Sequence, residues 1–477
     1  MSLVLTDGER RLANELLGRF MDGYERDLAD RPIVPEVDRD TLRGLLDEPF
    51  PAQGVGVEGF FRDLDERILP NSTTVSHPRF LAYVLGPPHG IGAHAEAVAA
   101  TLNQNCNFWQ LSPAASVIER RVLDWFAGLL GFDTSRSAGI LTAGGSIATL
   151  DALTTALHDR RPHFREQGLQ AGGPPLVVYT SAEAHRCVDK AAGILGLGLD
   201  NVVRIPTDGN QRMRVDLLAE AVRADRAAGR EPFCVVATSG TVTTGAVDPI
   251  AEIADLAGAE NLWLHVDGAY GALFVLAERA ASRFAAVRRA DPVALDPHKL
   301  LFAPLESGCL LVKDGEKLRR TYAYSSSYLT VQEDPLMRDY MDYGPQLSRN
   351  FKALKIWAAL RTFGTDAFRS ALGEMLDLST YMGERIEREP SLRLMAPVTL
   401  TAVCVQVPGL SHDGHTALLA RLAAEGTALL GPAVVDGGSG MRACITNHRT
   451  TRSDIDAIVD RLVELAEVPA EVVGPTV

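Results

Sequence analysis

Residues 233–239 read FCVVATS, residues 248–261 read DPIAEIADLAGAEN, and residues 262–269 read LWLHVDGA. The first and third stretches are short, apolar and rich in β-branched residues, whereas the second repeats its apolar residues at helical spacing. Similar apolar runs lie outward on both sides, at residues 176–181, 201–207 and 308–314. Strands that alternate with helices favour right-handed crossovers. They predict an α/β fold with a mostly parallel sheet and helices on both faces.

The flanking segments differ from this central region. Residues before about 70 have helical spacing with a proline-containing break. After residue 312 a polar, tyrosine-rich segment precedes the helical pattern LSRNFKALKIWAALRTFG at 347–364, and the remainder mixes helices with strands. We therefore predict three units, listed here in chain order: a helical N-terminal segment over residues 1–75, a large domain over 76–345 and a small α+β domain over 346–477.

Composition excludes several classes of protein. The 477 residues carry 47 Lys and Arg against 61 Asp and Glu, a formal charge of −14, which argues against nucleic acid or an anionic membrane as the partner. No apolar run approaches the roughly 18 residues that span a bilayer. The first residues lack the apolar core of a signal peptide. The six cysteines are scattered, so we expect them to be reduced and the protein to be cytoplasmic.

Four places at predicted strand ends carry candidate chemistry, because ligands of α/β sheets collect there. The first is TAGGSIATLDAL, where Gly145 and Ser146 open a helical pattern and leave backbone N–H groups for a phosphate. An ordinary turn with a serine N-cap is the alternative. The second is His185, just past the strand LVVYTS, which can contact a bound ring or simply begin a helix in solvent.

The third place is Asp267, at the end of an apolar strand and followed by Gly268 and Ala269. A carboxylate there is costly unless a cation faces it. Only His265 accompanies it at metal-ligand spacing, so we expect no metal site. The fourth is Lys299 in DPHKLLFAP. A lysine among apolar neighbours has a lowered pKa and is a better nucleophile toward a carbonyl, although its amine can also extend into solvent.

The other five lysines have simpler explanations. Lys190 lies near Arg186 and Asp189, and two more lie in a charged turn, whereas Lys352 and Lys355 fall on a basic amphipathic helix. Lys299 is therefore the candidate nucleophile. A phosphate cradle, a ring-contacting histidine, a carboxylate and this lysine are together the parts that hold pyridoxal 5′-phosphate.

With these residues in view, the sequence resembles the group II pyridoxal-phosphate decarboxylases, which include aromatic-L-amino-acid, tyrosine, histidine, glutamate and diaminobutyrate decarboxylases. The resemblance covers most of the chain and is most specific in HVDGAYG and in DPHK, whose lysine follows Asp267 by 32 positions (299 − 267). It implies fold type I of the pyridoxal-phosphate enzymes, the aspartate-aminotransferase-like fold. It also implies a homodimer with active sites at the interface and a dimer-contacting N-terminal segment.

The resemblance further assigns roles to individual residues. Lys299 would be the Schiff-base lysine, Asp267 the partner of the pyridine nitrogen, and His185 and Ala269 the neighbours of the two ring faces. The phosphate would bind at Gly145, Ser146 and the backbone around His298, with Asp296 nearby in place of the asparagine common in the aromatic members. Tyr328 would return a proton to the substrate Cα, and a tyrosine there favours simple decarboxylation over oxidative aldehyde formation.

The substrate is less determined by the sequence. Tyr83 and Val84 stand where the aromatic members have part of an aromatic pocket, and that pocket is incomplete here. The run TLNQN resembles one in glutamate decarboxylases, so Asn105 and Asn107 would make a polar wall. We predict a decarboxylase of an L-amino acid, with an aromatic or a polar substrate. The alternatives are oxidative deamination, carbon–carbon lysis or transamination on the same fold, and a non-catalytic cofactor-binding protein.

Overall fold

The computed structural model describes residues 3–324 and 337–467 of the chain. In this part of the chain, β-strands form two sheets, one of seven strands and one of four. In chain order the strands are β1 (Ala138–Thr142), β2 (Leu176–Ser181), β3 (Val202–Ile205), β4 (Glu231–Thr238), β5 (Trp263–Asp267), β6 (Pro292–Leu295), β7 (Gly308–Val312), β8 (Arg393–Leu394), β9 (Ala402–Gln406), β10 (Gly431–Val435) and β11 (Gly438–Cys444).

The helices precede, separate and follow these strands. In chain order they are α1 (Asp7–Arg26), α2 (Arg39–Leu46), α3 (Gly56–Asp63), α4 (Gly90–Leu102), α5 (Pro113–Leu129), α6 (Gly145–Arg160), α7 (Phe164–Gln167), α8 (Cys187–Ile194), α9 (Val215–Ala227), α10 (Ile250–Ala259), α11 (Glu278–Ala281), α12 (Pro297–Leu300), α13 (Gly315–Tyr322), α14 (Ala353–Glu387, broken at Gly364), α15 (His412–Ala424) and α16 (Arg452–Ala466). A π-helical turn over Leu64–Ile68 continues α3, so the segment before residue 70 is largely helical. None of these described helices is long and apolar enough to cross a membrane.

The large sheet has the strand order β1-β7-β6-β5-β4-β2-β3. Strands β2 to β6 pair in parallel, and β7 runs antiparallel to both of its neighbours, β6 and β1. The prediction of a mostly parallel sheet is confirmed. Along β4, Val235 and Ala237 join a core with α9 and α10, whereas Cys234 and Val236 join a second core with α6 and α8. Helices thus cover both faces, which explains the continuous apolar runs of the sequence.

The small sheet is antiparallel, with the order β10-β11-β9-β8. Backbone from far upstream extends it, because Leu81 N donates to Leu429 O at 2.9 Å and Cys444 N donates to Leu81 O at 2.7 Å. A segment that the sequence assigned to the large domain therefore pairs with the C-terminal sheet. This pairing brings residues 82–84 and β11 to the carboxyl ends of the large sheet. The predicted domain boundaries themselves stay a prediction.

The helix predicted to begin at Leu347 begins instead at Ala353. The backbone of Arg349 is already engaged, because its N–H donates to Asn105 Oδ1 at 3.0 Å and its carbonyl accepts from Cys106 N at 2.8 Å. The two lysines of the predicted basic amphipathic helix are buried. Lys355 is 2% exposed and pairs with Glu96 on α4, and Lys352 is also buried.

Candidate active site

Ten of the thirteen predicted site residues line one cavity of about 610 Å³ at the carboxyl ends of the parallel strands. The ten residues are Tyr83, Val84, Gly145, Ser146, His185, Asp267, Ala269, Asp296, His298 and Lys299. They come from segments up to about 215 positions apart in the chain, which the parallel strands gather at one edge. The cavity is therefore the place to test the predicted chemistry.

A turn of glycines forms one end of the cavity and opens α6. Gly144 has φ +128°, a conformation that disfavours residues with a side chain, and a Cβ on Gly308 would lie 2.4 Å from Gly144 Cα. A Cβ on Gly145 would lie 2.8 Å from the Ala269 methyl group. The turn thus holds its backbone close against neighbouring strands. The first N–H groups of α6 have no acceptor within the helix, so they suit an anion at this end of the cavity.

Asp267 ends β5 and is largely buried at the cavity wall. Its Oδ1 accepts from the Ala269 backbone N–H at 3.1 Å, which fixes the carboxylate against the turn that follows the strand. The Cys187 thiol donates to Asp267 Oδ2 at 3.7 Å. Burial, reinforced by the Asp267 carboxylate, raises the pKa of that thiol, so Cys187 stays protonated and able to donate. The arrangement leaves a directed carboxylate that can face a cationic ring nitrogen.

Lys299 lies in the short helix α12 that follows β6. Its Nζ is 3.0 Å from Asp296 Oδ2, so the expected lysine among apolar groups is in fact ion-paired with a buried carboxylate. The apolar residues that follow it in the sequence, Leu300 and Leu301, are buried in the core. The ion pair forms because α12 brings Lys299 back over Asp296 after three residues, as a helical (i, i+3) pair.

Two histidines border the amine and the glycine turn. His298 Nδ1 contacts Ser307 O at 2.6 Å, and burial lowers the pKa of His298, which favours the neutral form of the ring. His185 is exposed at the cavity mouth, where its Nδ1 accepts from Cys187 N at 3.2 Å. That hydrogen bond ties the imidazole to the start of α8 and holds it over the cavity.

Ten further residues line the cavity without having been predicted as site residues, and four of them bear directly on its polarity. These four are Cys187, Thr238, Glu306 and Arg442. The Arg442 side chain is buried and donates to Val242 O at 2.9 Å and to Ala82 O at 2.8 Å. Its sequence signal was a lone arginine inside the apolar strand MRACITN, where a charge is costly without a partner. Glu306 accepts from Lys352 Nζ at 3.0 Å.

Three predicted residues are not among those that line this cavity. Asn105 Oδ1 accepts from Arg349 N at 3.0 Å, and Asn107 Oδ1 accepts from the next backbone N–H at 2.8 Å. Both amide oxygens therefore accept from backbone N–H groups of this chain. Tyr328 lies outside the described residues. Near Asp267, the buried His265 Nδ1 contacts Pro292 O at 3.3 Å, and no three metal-ligating side chains meet within the described ranges.

The donor set fits pyridoxal 5′-phosphate. The start of α6 offers N–H groups to a phosphate, the Asp267 carboxylate can meet a pyridine nitrogen, and the Lys299 amine can meet an aldehyde. Asp296 Oδ1 is buried and has no hydrogen-bond partner among the described residues, which indicates a polar group still to be satisfied in the cavity. The residues present thus match the three functional ends of one cofactor.

Comparisons with known proteins agree with this reading. The pyridoxal-dependent decarboxylase conserved domain matches residues 40–407. The aromatic-L-amino-acid decarboxylase of Bacillus atrophaeus is 32% identical over 467 residues, 96% of this chain and 95% of that protein. The L-2,4-diaminobutyrate decarboxylase of Rhizobium meliloti (strain 1021) is 33% identical over 435 residues, 89% of this chain and 86% of that protein.

Solved structures show the same architecture. The crystal structure of mouse CSAD has a TM-score of 0.88 to this chain at 27% identity and covers 96% of this chain and 99% of its own. The predicted fold type I is confirmed, and the match to the pyridoxal-dependent family makes the cofactor pyridoxal 5′-phosphate. The matched range includes the glycine turn, Asp267 and Lys299. This chain therefore belongs to the pyridoxal-dependent decarboxylase family, the carboxy-lyases that act on amino acids.

Proposed function

We propose that this chain decarboxylates an L-amino acid to the corresponding amine and carbon dioxide, with its cofactor attached to Lys299. The observation that carries the proposal is that Lys299, Asp267 and the start of α6 line one cavity. A cavity of about 610 Å³ has room for the cofactor and a small substrate together.

When bound, pyridoxal 5′-phosphate supplies an electron sink for the electron pair left at the substrate Cα as the carboxylate departs. Asp267 would hold a proton at the pyridine nitrogen, and His185 and Ala269 would border the two faces of the ring. Gly145 and Ser146 would bind the phosphate through their backbone N–H groups. These residues therefore bind and orient the cofactor.

Lys299 has the remaining task of attaching the cofactor and then releasing it to the substrate amine. While its amine is free, the ion pair with Asp296 at 3.0 Å keeps the side chain directed at the cavity. Burial lowers the pKa of His298, which disfavours a second positive charge beside Lys299. We propose that Asp296 holds Lys299 in place between turnovers.

We propose an aromatic side chain for the substrate. Tyr83, Val242 and Leu305 line the cavity and present apolar surface, which suits a flat ring. Arg442 brings a guanidinium to the same cavity, where it would attract the substrate carboxylate. The relative in Bacillus atrophaeus, named an aromatic-L-amino-acid decarboxylase, supports this choice.

One observation favours a second candidate, a substrate with an amino group on its side chain. The Glu306 carboxylate lines the cavity, and its side chain is about half exposed despite its bond to Lys352. It can accept a hydrogen bond from a substrate ammonium group. The Rhizobium meliloti relative, an L-2,4-diaminobutyrate decarboxylase, gives this candidate support.

The test is to incubate the purified holoenzyme with an equimolar mixture of L-amino acids and measure consumption by chromatography. We expect an aromatic amino acid to be consumed with kcat/KM at least about tenfold above the others. Amine and carbon dioxide should form in equal amounts. Consumption without carbon dioxide would contradict decarboxylation. If a diamino acid is consumed instead, Glu306→Gln should lower its turnover and leave any aromatic turnover unchanged.

The same incubation addresses the oxidative alternative. Simple decarboxylation yields no hydrogen peroxide. Oxidative aldehyde formation consumes oxygen and releases hydrogen peroxide. The resemblance to family decarboxylases assigns the proton return at Cα to Tyr328, and this role stays a prediction. We therefore expect no peroxide above the level of a reaction without enzyme.

We also propose that two copies of the chain associate through the N-terminal segment. No residue of α1 is buried, although Leu17 and the neighbouring Leu5 are apolar. Together with Phe60 on α3 they line an apolar groove of about 590 Å³ between the two helices. Exposed apolar surface of this extent is typical of an interface. A second copy is the occupant that the family resemblance favours.

Replacing Leu17 and Phe60 together with aspartate is expected to convert a dimer into a monomer, because two charges would be buried without partners. Light scattering during size-exclusion chromatography measures the mass. Ile194→Asp, at an exposed apolar position on α8, is the control and should leave the mass unchanged. A wild-type protein that elutes with the mass of a single chain would contradict the proposal.

A further inference from the structure

Strand β1 leads directly into the glycine turn and lies at the edge of the large sheet. Among the described strands it pairs only with β7, so one row of its backbone N–H and C=O groups faces away from the sheet. The two groups of Leu141 face that way, three residues before Gly144. An unpaired edge leaves a strand free to shift unless something else satisfies it. The position of the turn depends on how this edge is held.

A buried ion pair takes the place of the missing strand. Leu141 N donates to Glu119 Oε1 at 3.0 Å, and Leu141 O accepts from Arg349 Nη2 at 3.1 Å. Arg349 Nη2 donates to Glu119 Oε1 at 2.5 Å. The Glu119 side chain is 1% exposed and the Arg349 side chain 3%. The Glu119 carboxylate and the Arg349 guanidinium thus give Leu141 the hydrogen-bond acceptor and donor that a residue on a neighbouring strand would provide.

The pair is itself anchored on three sides. Glu119 lies on α5, Arg349 Nη1 donates to Cys106 O at 2.9 Å, and the guanidinium stacks over the Tyr340 ring at 5.0 Å. Because neither side chain is free to turn, the pair can fix Leu141 rather than follow it. Two buried charges are a costly way to gain stability alone, since apolar side chains of similar volume often do as well. Because both charges bind the backbone of the same residue, Leu141, we expect them to hold β1 in position.

Thr142 links Leu141 to the glycine turn. Thr142 is buried, and its Oγ1 donates to Gly144 O at 3.1 Å and accepts from Gly144 N at 3.4 Å. A displacement of Leu141 would therefore pass through Thr142 to Gly144 and the first N–H groups of α6. No side chain of the ion pair lines the cavity itself.

We infer that Glu119 and Arg349 are positioning residues for the cofactor phosphate, acting through the edge of β1. The inference rests on the proposed role of Gly145 and Ser146 in phosphate binding. It implies that the pair affects the phosphate of the cofactor and not its aldehyde or ring. Pyridoxal, which lacks the phosphate, is therefore the probe that separates this effect from a general loss of structure.

The experiment removes the cofactor and titrates the full chain with pyridoxal 5′-phosphate and, separately, with pyridoxal, following absorbance and protein fluorescence. Glu119→Gln keeps the size of the side chain and one acceptor, and Arg349→Lys keeps the charge. We expect each to weaken cofactor binding about tenfold, as is common for groups that orient a binding shell, with pyridoxal binding unchanged. The phosphorus NMR signal of the bound cofactor should also shift.

Tyr179→Phe is the control, because it removes the hydrogen bond from a fully buried hydroxyl to Asp225 on α9, away from β1. It should leave the ratio of the two affinities as in the wild type. The inference is wrong if the Glu119 and Arg349 variants lose affinity for both ligands equally, or for neither. A wild-type protein that binds both ligands equally would instead contradict the phosphate role of the α6 start.

Discussion

Lys299→Ala is expected to abolish turnover, with a loss of at least about 10³-fold in kcat, as for the loss of other covalently acting side chains. The reason is chemical, because an alanine at this position leaves no amine to hold the cofactor or to release it to the substrate. Borohydride reduction followed by mass spectrometry should find the cofactor on the Lys299 peptide of the wild type. The variant should yield no such modified peptide.

Lys190→Ala is the matched control for this variant. It removes one of the six lysines at an exposed position on α8, so turnover and trapping should match the wild type. Circular dichroism should show both variants folded, although Lys299→Ala leaves the buried Asp296 without its cation and should unfold at a lower temperature. Turnover within about tenfold of the wild type, or cofactor trapped on another lysine, would refute the role of Lys299.

The residues that the sequence predicted best are those whose surroundings are local. Asp267 ends an apolar strand and Lys299 follows one within a few residues, and parallel strands bring their carboxyl ends together whatever the rest of the fold does. The glycine turn is local in the same sense, because it joins β1 directly to α6. For such residues the pattern of strands in the sequence predicts both the element on which the residue lies and the edge of the sheet at which that element ends.

Residues held by distant partners were harder to predict. Arg442 reaches the cavity only because the small sheet pairs with the backbone near Leu81, a contact across more than three hundred residues. Periodicity within a strand carries no information about such packing. The burial of Lys355 likewise depends on its ion pair with Glu96 in another helix, which an amphipathic pattern along one helix does not reveal.

The Asn105 prediction illustrates a different limit. The resemblance of TLNQN to a motif of glutamate decarboxylases predicted that Asn105 lines the substrate pocket. The direction of an amide side chain, however, depends on which polar group lies nearest. Here the Arg349 backbone N–H lies at 3.0 Å, and the ion pair of that same arginine with Glu119 holds it there. The apolar surroundings expected for Lys299 differed for a similar reason, since a helical turn brought Asp296 to its amine.

Asp267→Asn is expected to lower kcat by about 10²–10³-fold, the usual cost of removing one directed charge from an active site. The carboxamide has the same size, and its oxygen can still accept from Ala269 N, so the turn after β5 should keep its shape. What is lost is the negative charge that would hold a proton at the pyridine nitrogen. Saturating cofactor in the assay ensures that kcat reports this loss and not weaker binding.

Asp225→Asn separates the effect of charge at the cavity from the effect of any buried carboxylate. Asp225 is also buried, accepts from the Tyr179 hydroxyl at 2.6 Å and does not line the cavity, so its variant should lose thermal stability and keep kcat. A second arm uses Asp267→Ala with a cofactor analogue whose pyridine nitrogen carries a methyl group and is permanently positive. Because that analogue needs no carboxylate to stay charged, it should restore part of the lost rate to Asp267→Ala. If Asp267→Asn keeps kcat within about threefold of the wild type, the carboxylate has no part in stabilising charge on the ring.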